Sequence, residues 1–104
     1  MTTLTAYVGR DNKDQLRLLQ NGSVVGNNIV TKAELSFGNW CIETGVDSNI
    51  RLITNATIVE MEIGLTTGLV VGKYEGKLTI YDASIINGIA WANIEINVVN
   101  WEVC

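Results

Sequence analysis

The sequence predicts an all-β protein that folds as a single antiparallel β-sandwich of about seven short strands. Composition is the first observation. Isoleucine and valine together number 23 and threonine 10 among 104 residues, and branching at Cβ favours strands over helices. The second observation is a period-two alternation of apolar and polar residues, with turn residues between the alternating segments. Alternation of this kind argues against a parallel sheet covered on both faces.

The alternation also locates the strands. Within residues 57–63, the side chains of Val59, Met61 and Ile63 alternate with two glutamates, as in a strand with one solvated face. On the last strand, Ala92 is predicted to face inward and Trp91 outward. The predicted strands are 3–8, 15–20, 32–38, 50–54, 57–63, 73–81 and 90–99, with residues 39–43 as a short extra edge strand.

Size and composition limit the classes of function. With 47% apolar and 17% charged residues, positions 1–104 are expected to form one domain that ends in a short tail, 100–104. The chain has no histidine, which removes Ser/His and Cys/His nucleophile pairs and histidine metal clusters. A net charge of −4 argues against nucleic acid, and the apolar runs are far shorter than the ~20 residues that span a bilayer. We therefore expect a non-enzymatic protein without a cofactor, a metal, or a nucleic-acid or membrane partner.

The charged clusters and the cysteines have structural interpretations. Residues 10–14, Arg-Asp-Asn-Lys-Asp, lack the glycine and terminal glutamate of a calcium loop and are expected to form a solvated turn. Glu60 and Glu62 are expected to be solvated charges that face Lys or Arg on a neighbouring strand. The N-terminus does not resemble a secretion signal, so Cys41, partly buried, and Cys104 are expected to be separate thiols, with a disulfide left open.

The candidate binding residues are apolar or aromatic. Residues 81–91 are predicted to be a loop between the last two strands, and its isoleucines need to be covered, either by this domain or by another protein. A tryptophan in the tail is expected either to fix the tail to its own domain or to anchor it on a neighbour. The predicted protein-contact residues are Ile85, Ile86, Ile89, Trp91 and Trp101.

One local motif specifies the sandwich further. Residues 69–74, Leu-Val-Val-Gly-Lys-Tyr, resemble the Leu-x-Pro-Gly-x-Tyr approach to strand F in immunoglobulin-like and fibronectin-type sandwiches, with Val71 at the proline position. The resemblance implies that Tyr74 is a tyrosine corner, whose hydroxyl bonds the backbone just upstream. An inward tyrosine without that bond is the alternative. With this motif the seven strands, in chain order, become A to G of an immunoglobulin-like β-sandwich.

A wider resemblance covers most of residues 3–99. The pieces Gly-Lys-Tyr at 72–74, Leu-Thr-Ile-Tyr-Asp-Ala at 78–83 and Asn-Gly-Ile-Ala-Trp at 87–91 resemble small immunoglobulin-like virion proteins of tailed bacteriophages. They are also similar to the N-terminal domain of the phage upper-baseplate protein family. The resemblance implies a non-enzymatic structural protein, made in the bacterial host cytoplasm, that docks on other proteins of the virion. The sequence departs from the baseplate family in having no long C-terminal extension, so an arm-holding role is not expected and a standalone adaptor or decoration protein is favoured.

The expected function is that of an adaptor or accessory component of the tail, neck or baseplate. A capsid decoration protein is the first alternative. A carbohydrate- or receptor-binding module, in which Trp40 or Trp91 stacks on a sugar ring, is the second. Homo-oligomerisation is left open.

Overall fold

The computed structural model describes residues 2–20, 23–24, 30–83 and 85–101, which form ten strands and one short 3-10 helix, Ile63–Leu65. The strands are β1 Thr2–Tyr7, β2 Asp14–Arg17, β3 Leu19–Gln20, β4 Ser23–Val24, β5 Val30–Phe37, β6 Trp40–Glu43, β7 Ile50–Ile53, β8 Ile58–Met61, β9 Gly72–Asp82 and β10 Ile85–Val99. The prediction of an all-β protein is confirmed. No helix in the described part of the chain is long and apolar enough to cross a membrane.

The strands form two main sheets and a small hairpin. One sheet has five strands in the order β1-β10-β9-β5-β6, and the other has three in the order β2-β8-β7. The pair β3-β4 stands apart from both. The expectation of a fully antiparallel fold is wrong at one place, because β1 runs parallel to β10, with Leu4 opposite Ile96. Every other pairing among the described strands is antiparallel.

Buried side chains from both sheets form one core. Leu35, Phe37, Ile94 and Ile96 come from the five-stranded sheet, and Val59 from the other, all at 1% exposure or less. Their spacing is the period of two that the sequence shows, because alternate residues of a strand face the same side. At ~25 cal/mol per Å² of apolar surface removed from water, this burial is the main favourable contribution to folding.

The sequence misplaces the face of β10 near its start. The register of β10 against β9 shifts between Ala90 and Ala92, which is a β-bulge at Trp91. The indole of Trp91 is therefore half-buried and packs against the core cluster, while Ala92 is exposed. The prediction of Trp91 outward is wrong, because the bulge adds one residue to β10 at this position and interrupts the alternation. Ala92 lies opposite the buried Leu78 and so on the inner face, as predicted, although its side chain is exposed.

The predicted loop over residues 81–91 is wrong as well. β9 continues to Asp82 and β10 begins at Ile85, so almost the whole segment belongs to a long hairpin. A second register shift lies between Ile85 and Ile89, where Gly88 adopts a φ of +77°. A Cβ atom at Gly88 would lie 2.6 Å from the Tyr81 ring, so glycine is required by space and by backbone conformation.

The turn between β7 and β8 has an uncommon backbone. Thr54, Asn55 and Ala56 all have positive φ, between 53° and 62°. The Thr57 hydroxyl donates to the Thr54 carbonyl at 2.6 Å, and the Thr57 N–H donates to the Ile53 carbonyl at 3.2 Å. Non-glycine residues pay about 1–2 kcal/mol each for this conformation, so these bonds and the flanking strand pairs must hold the turn.

Candidate protein-contact site

The described contact candidates lie at opposite ends of the five-stranded sheet. The end that contains Ile85 and Ile89, where β9 leads into β10, is called the hairpin end. The other, where Tyr7 and Val99 pair and β9 begins at Gly72, is called the C-terminal end. β9 has 11 residues and connects the two. At a rise of about 3.3 Å per residue, the ends are roughly 33 Å apart.

At the hairpin end, the predicted contact residues differ in how far their side chains are exposed to solvent. Ile89 is 39% exposed, whereas Ile85 is half-buried. Trp91 lines a hollow of about 220 Å³ over the bulge, together with Lys77 and Ala90. The side chain of Ile86 lies outside the described part of the structure. Ile89 is thus the most exposed of the described candidates at the hairpin end.

At the C-terminal end, Trp101 is the largest exposed apolar side chain, with 57% of its surface exposed. Its ring meets the Tyr7 ring edge-on, with centroids 5.5 Å apart. The Val8 N–H donates to the Val99 carbonyl at 3.0 Å, which ends the ladder between β1 and β10 and directs the chain towards Tyr7. Tyr7 and Trp101 thus line the same hollow of about 400 Å³, with Arg10 and Asn12 on its other walls.

Arg10 is held beside Trp101 by backbone contacts. Its N–H donates to the Tyr7 carbonyl at 3.0 Å, and the preceding Gly9 N–H donates to the Gly64 carbonyl at 2.8 Å. The guanidinium Nη2 lies 3.5 Å from the Trp101 carbonyl oxygen. Arg10 thus borders the same hollow as Tyr7 and Trp101, and arginine, tyrosine and tryptophan are the residue types enriched in protein interfaces. The expectation of a solvated turn at residues 10–14 omits this contact of Arg10.

Two further exposed residues at this end were missed by sequence reasoning. Val70 is 58% exposed and Val71 49% exposed, just before β9. The tyrosine-corner bond fixes this segment, because the Tyr74 hydroxyl donates to the Val70 carbonyl at 2.8 Å. The corner bond expected from the motif is therefore confirmed. Two consecutive valines between the turn glycines Gly68 and Gly72 are the signal that could have identified this patch.

The carboxylates of Glu60, on β8, and Glu62, just after β8, are paired with side chains of the neighbouring strands. Arg51 on β7 bonds both Glu60 and Glu62, and Gln15 on β2 donates to Glu60 Oε2 at 2.7 Å. The hydrogen bond from Gln15, followed by that from Arg51, lowers the pKa of Glu60 from its ordinary 4.5. The predicted facing arginine is confirmed, but the two glutamates are only 8–9% exposed rather than solvated.

The thiol and carboxylate groups elsewhere in the described structure do not form a reactive or metal-binding cluster. Cys41 is a free thiol, exposed rather than partly buried, and desolvation followed by the nearby Glu34 carboxylate raises its pKa. Cys104 lies outside the described residues. In the part of the chain that the structure describes, no three His, Cys, Asp or Glu side chains come together as a metal site. Partial burial raises the pKa of Asp14, which lies beside the 10–13 turn.

Comparison with known proteins gives no relative: no family model, curated protein or solved structure matches this chain.

Proposed function

We propose that this chain is a non-enzymatic virion structural protein of a tailed bacteriophage, an adaptor or accessory component of the tail, neck or baseplate. Its fold in this proposal is an immunoglobulin-like sandwich. The strand order supports it, because β10-β9-β5-β6 corresponds to strands G, F, C and C′ of such domains, and β2-β8-β7 to B, E and D. The tyrosine-corner bond from Tyr74 to Val70 is a second support.

The single observation that carries the adaptor proposal is the placement of exposed apolar side chains at both ends of the sheet. Ile89 marks the hairpin end, and Trp101, Val70 and Val71 mark the C-terminal end. Large apolar side chains left in water favour association with another protein, and tryptophan beside arginine is typical of interface anchors. Two such surfaces about 33 Å apart would let one domain connect two neighbours.

The proposal is tested by counting the chain in purified virions of the phage that encodes it, by quantitative mass spectrometry against the major capsid protein. A small number of copies per particle is the expected result, since neck, tail and baseplate rings contain few subunits. A copy number comparable with that of the capsid protein would instead favour the decoration alternative. Absence from the particle would overturn the virion proposal.

A matched set of variants assigns the contact surfaces. Trp101→Ser and Ile89→Ser should each reduce incorporation into particles while shifting the thermal midpoint little, because both side chains lie largely outside the core. Val46→Ser is the control, since Val46 is 75% exposed but follows β6, which lies three strands from the β10 strand of Ile89 and at the opposite edge of the sheet from β1. Equal incorporation of all three variants would show that neither end is a contact surface.

One observation favours the carbohydrate-binding alternative. A hollow of about 290 Å³ beside Trp40 is lined by Asp47, Ser48 and Thr67, polar groups of the kind that bind sugar hydroxyls. However, the Trp40 ring is already occupied by Tyr74, which meets it edge-on with centroids 5.4 Å apart. We place this function second, and glycan binding by the isolated domain that is lost in Asp47→Ala would favour it.

A further inference from the structure

The edge strand β1 differs from the other edge strands of the two main sheets because it lacks the features that prevent pairing with a strand of another chain. β2 carries Asp14 and Arg17, β6 carries Glu43, and β7 carries Arg51, and each of these edges is only four residues long. Short length and charge are the usual means by which proteins prevent edge strands from pairing with other chains. β1 is six residues long, Thr-Thr-Leu-Thr-Ala-Tyr, without a charge or a proline.

The backbone groups that β1 directs away from its own sheet can be assigned. The Val8 N–H donates to Val99 on β10, so the even-numbered residues Leu4 and Ala6 also direct their backbone groups towards β10. The Tyr7 carbonyl accepts from Arg10 instead, which agrees with odd-numbered residues pointing the other way. Thr3 and Thr5 therefore present their N–H and C=O groups at the open edge of the sheet.

We propose that this edge binds the same edge of a second copy of the chain, through antiparallel pairing of β1 with β1 about a two-fold axis at Leu4. Thr3 then lies opposite Thr5 of the other copy, and the reverse, so that four main-chain hydrogen bonds form between the copies. Leu4 lies opposite its own equivalent on the inner face. The result is one continuous sheet with five strands from each copy.

The residues of β1 favour a second copy over an unrelated strand. Each copy carries a net charge of −4, yet β1 is uncharged, so self-pairing brings no like charges directly opposite each other. Thr3 and Thr5 are exposed on the outer face, where facing threonines are favourable cross-strand pairs. The donors and acceptors at these two positions are complementary to themselves under a two-fold rotation, as an isologous interface requires.

The test is sedimentation equilibrium of the isolated full chain over a concentration series. Wild type is expected to dimerise. Thr3→Lys with Thr5→Lys places lysine opposite lysine twice and should raise the dissociation constant at least about tenfold. Thr3→Glu with Thr5→Glu should do the same. An equimolar mixture of the two variants should recover a heterodimer, because lysine then lies opposite glutamate.

The control adds the same charge elsewhere. Ser48→Lys with Thr67→Lys changes two exposed residues remote from β1 and should leave the dimer intact. A wild-type chain that stays monomeric to several hundred micromolar would overturn the proposal. The proposal would also be overturned if the dimer persisted with both β1 lysines in place. It would be overturned equally if the lysine and glutamate variants kept the wild-type thermal midpoint but failed to associate when mixed. Since only the isolated chain is measured, this result is independent of the copy number in virions.

Discussion

Gly64→Ala should destabilise the protein by about 2–4 kcal/mol, although alanine is usually the better residue in a turn of helix. A Cβ at Gly64 would lie 2.1 Å from the Tyr7 carbonyl oxygen and 3.0 Å from that of Arg10. Both are backbone atoms, and Tyr7 is fixed by the pairing of β1 with β10, so the segment of Gly64 and that of Tyr7 must separate by about 1 Å. Forcing such a gap costs about 1–3 kcal/mol. Losing the bond from Gly9 N–H to Gly64 O, now 2.8 Å, adds about 1 kcal/mol.

The loss of stability in Gly64→Ala is measured by urea unfolding monitored through tryptophan fluorescence. Substitutions at two other glycines serve as controls. Gly45→Ala meets nothing within 4 Å but has a φ of +83°, so it should cost only the backbone penalty of about 1–2 kcal/mol. Gly76→Ala meets the flexible end of Ile96 at 2.7 Å and should cost less than Gly64→Ala. Gly64 has no positive φ, so without the clash alanine would stabilise by about 0.4–1 kcal/mol. A neutral or stabilised Gly64→Ala would therefore refute the reasoning.

Three other substitutions test other parts of the fold. Tyr74→Phe should lower the free energy of unfolding by about 1 kcal/mol, because it removes only the corner hydrogen bond; an unchanged urea midpoint would contradict this. Thr54→Gly should raise stability by up to about 1 kcal/mol by relieving a β-branched residue at positive φ, whereas Thr67→Gly, an exposed threonine without positive φ, should lower it. Glu60→Gln should reduce stability at pH 7 and progressively less as the pH falls below 4.5: the folded pKa of Glu60 lies below 4.5, so its contribution is present above pH 4.5 and is lost as the pH falls through the folded value. Thermal midpoints of both proteins between pH 7 and pH 3 should converge, and a constant difference would refute the assignment.

Strand positions were predictable because they depend on local alternation. The buried faces of β5 and β8 follow directly from every second residue being apolar: Leu35 and Phe37 are buried on β5, and Val59 is buried on β8 as predicted. The parallel pairing of β1 with β10 was not predictable in this way, since alternation says nothing about which strands become neighbours. The bulge at Trp91 was also missed, because an extra residue in one strand is defined only by its partner.

The contact surfaces were predictable only in part. Trp101 stood out as a tryptophan after the last strand, and it is exposed. Arg10 was interpreted as part of a solvated turn, because its position beside Trp101 depends on residues 91 positions apart in the sequence. Gly64 carries no sequence signal of its importance, since a close approach to Tyr7 O is a property of the tertiary structure alone.

The pairing proposed for β1 determines how the contact surfaces at the hairpin end and the C-terminal end would be arranged in a dimer. Antiparallel pairing reverses the strand direction between copies, so each end of the dimer would present the Trp101 surface of one copy and the Ile89 surface of the other. A monomer has two unlike ends, whereas this dimer has two equivalent ends and would bridge two identical neighbours. The two states predict different effects of Trp101→Ser: in a homodimer it should weaken contact at both ends, whereas in a monomer it should weaken contact at one end only. In the lysine–glutamate heterodimer, Trp101→Ser in a single partner should weaken contact at one end only, and loss of bridging with retained binding of one neighbour would be its signature.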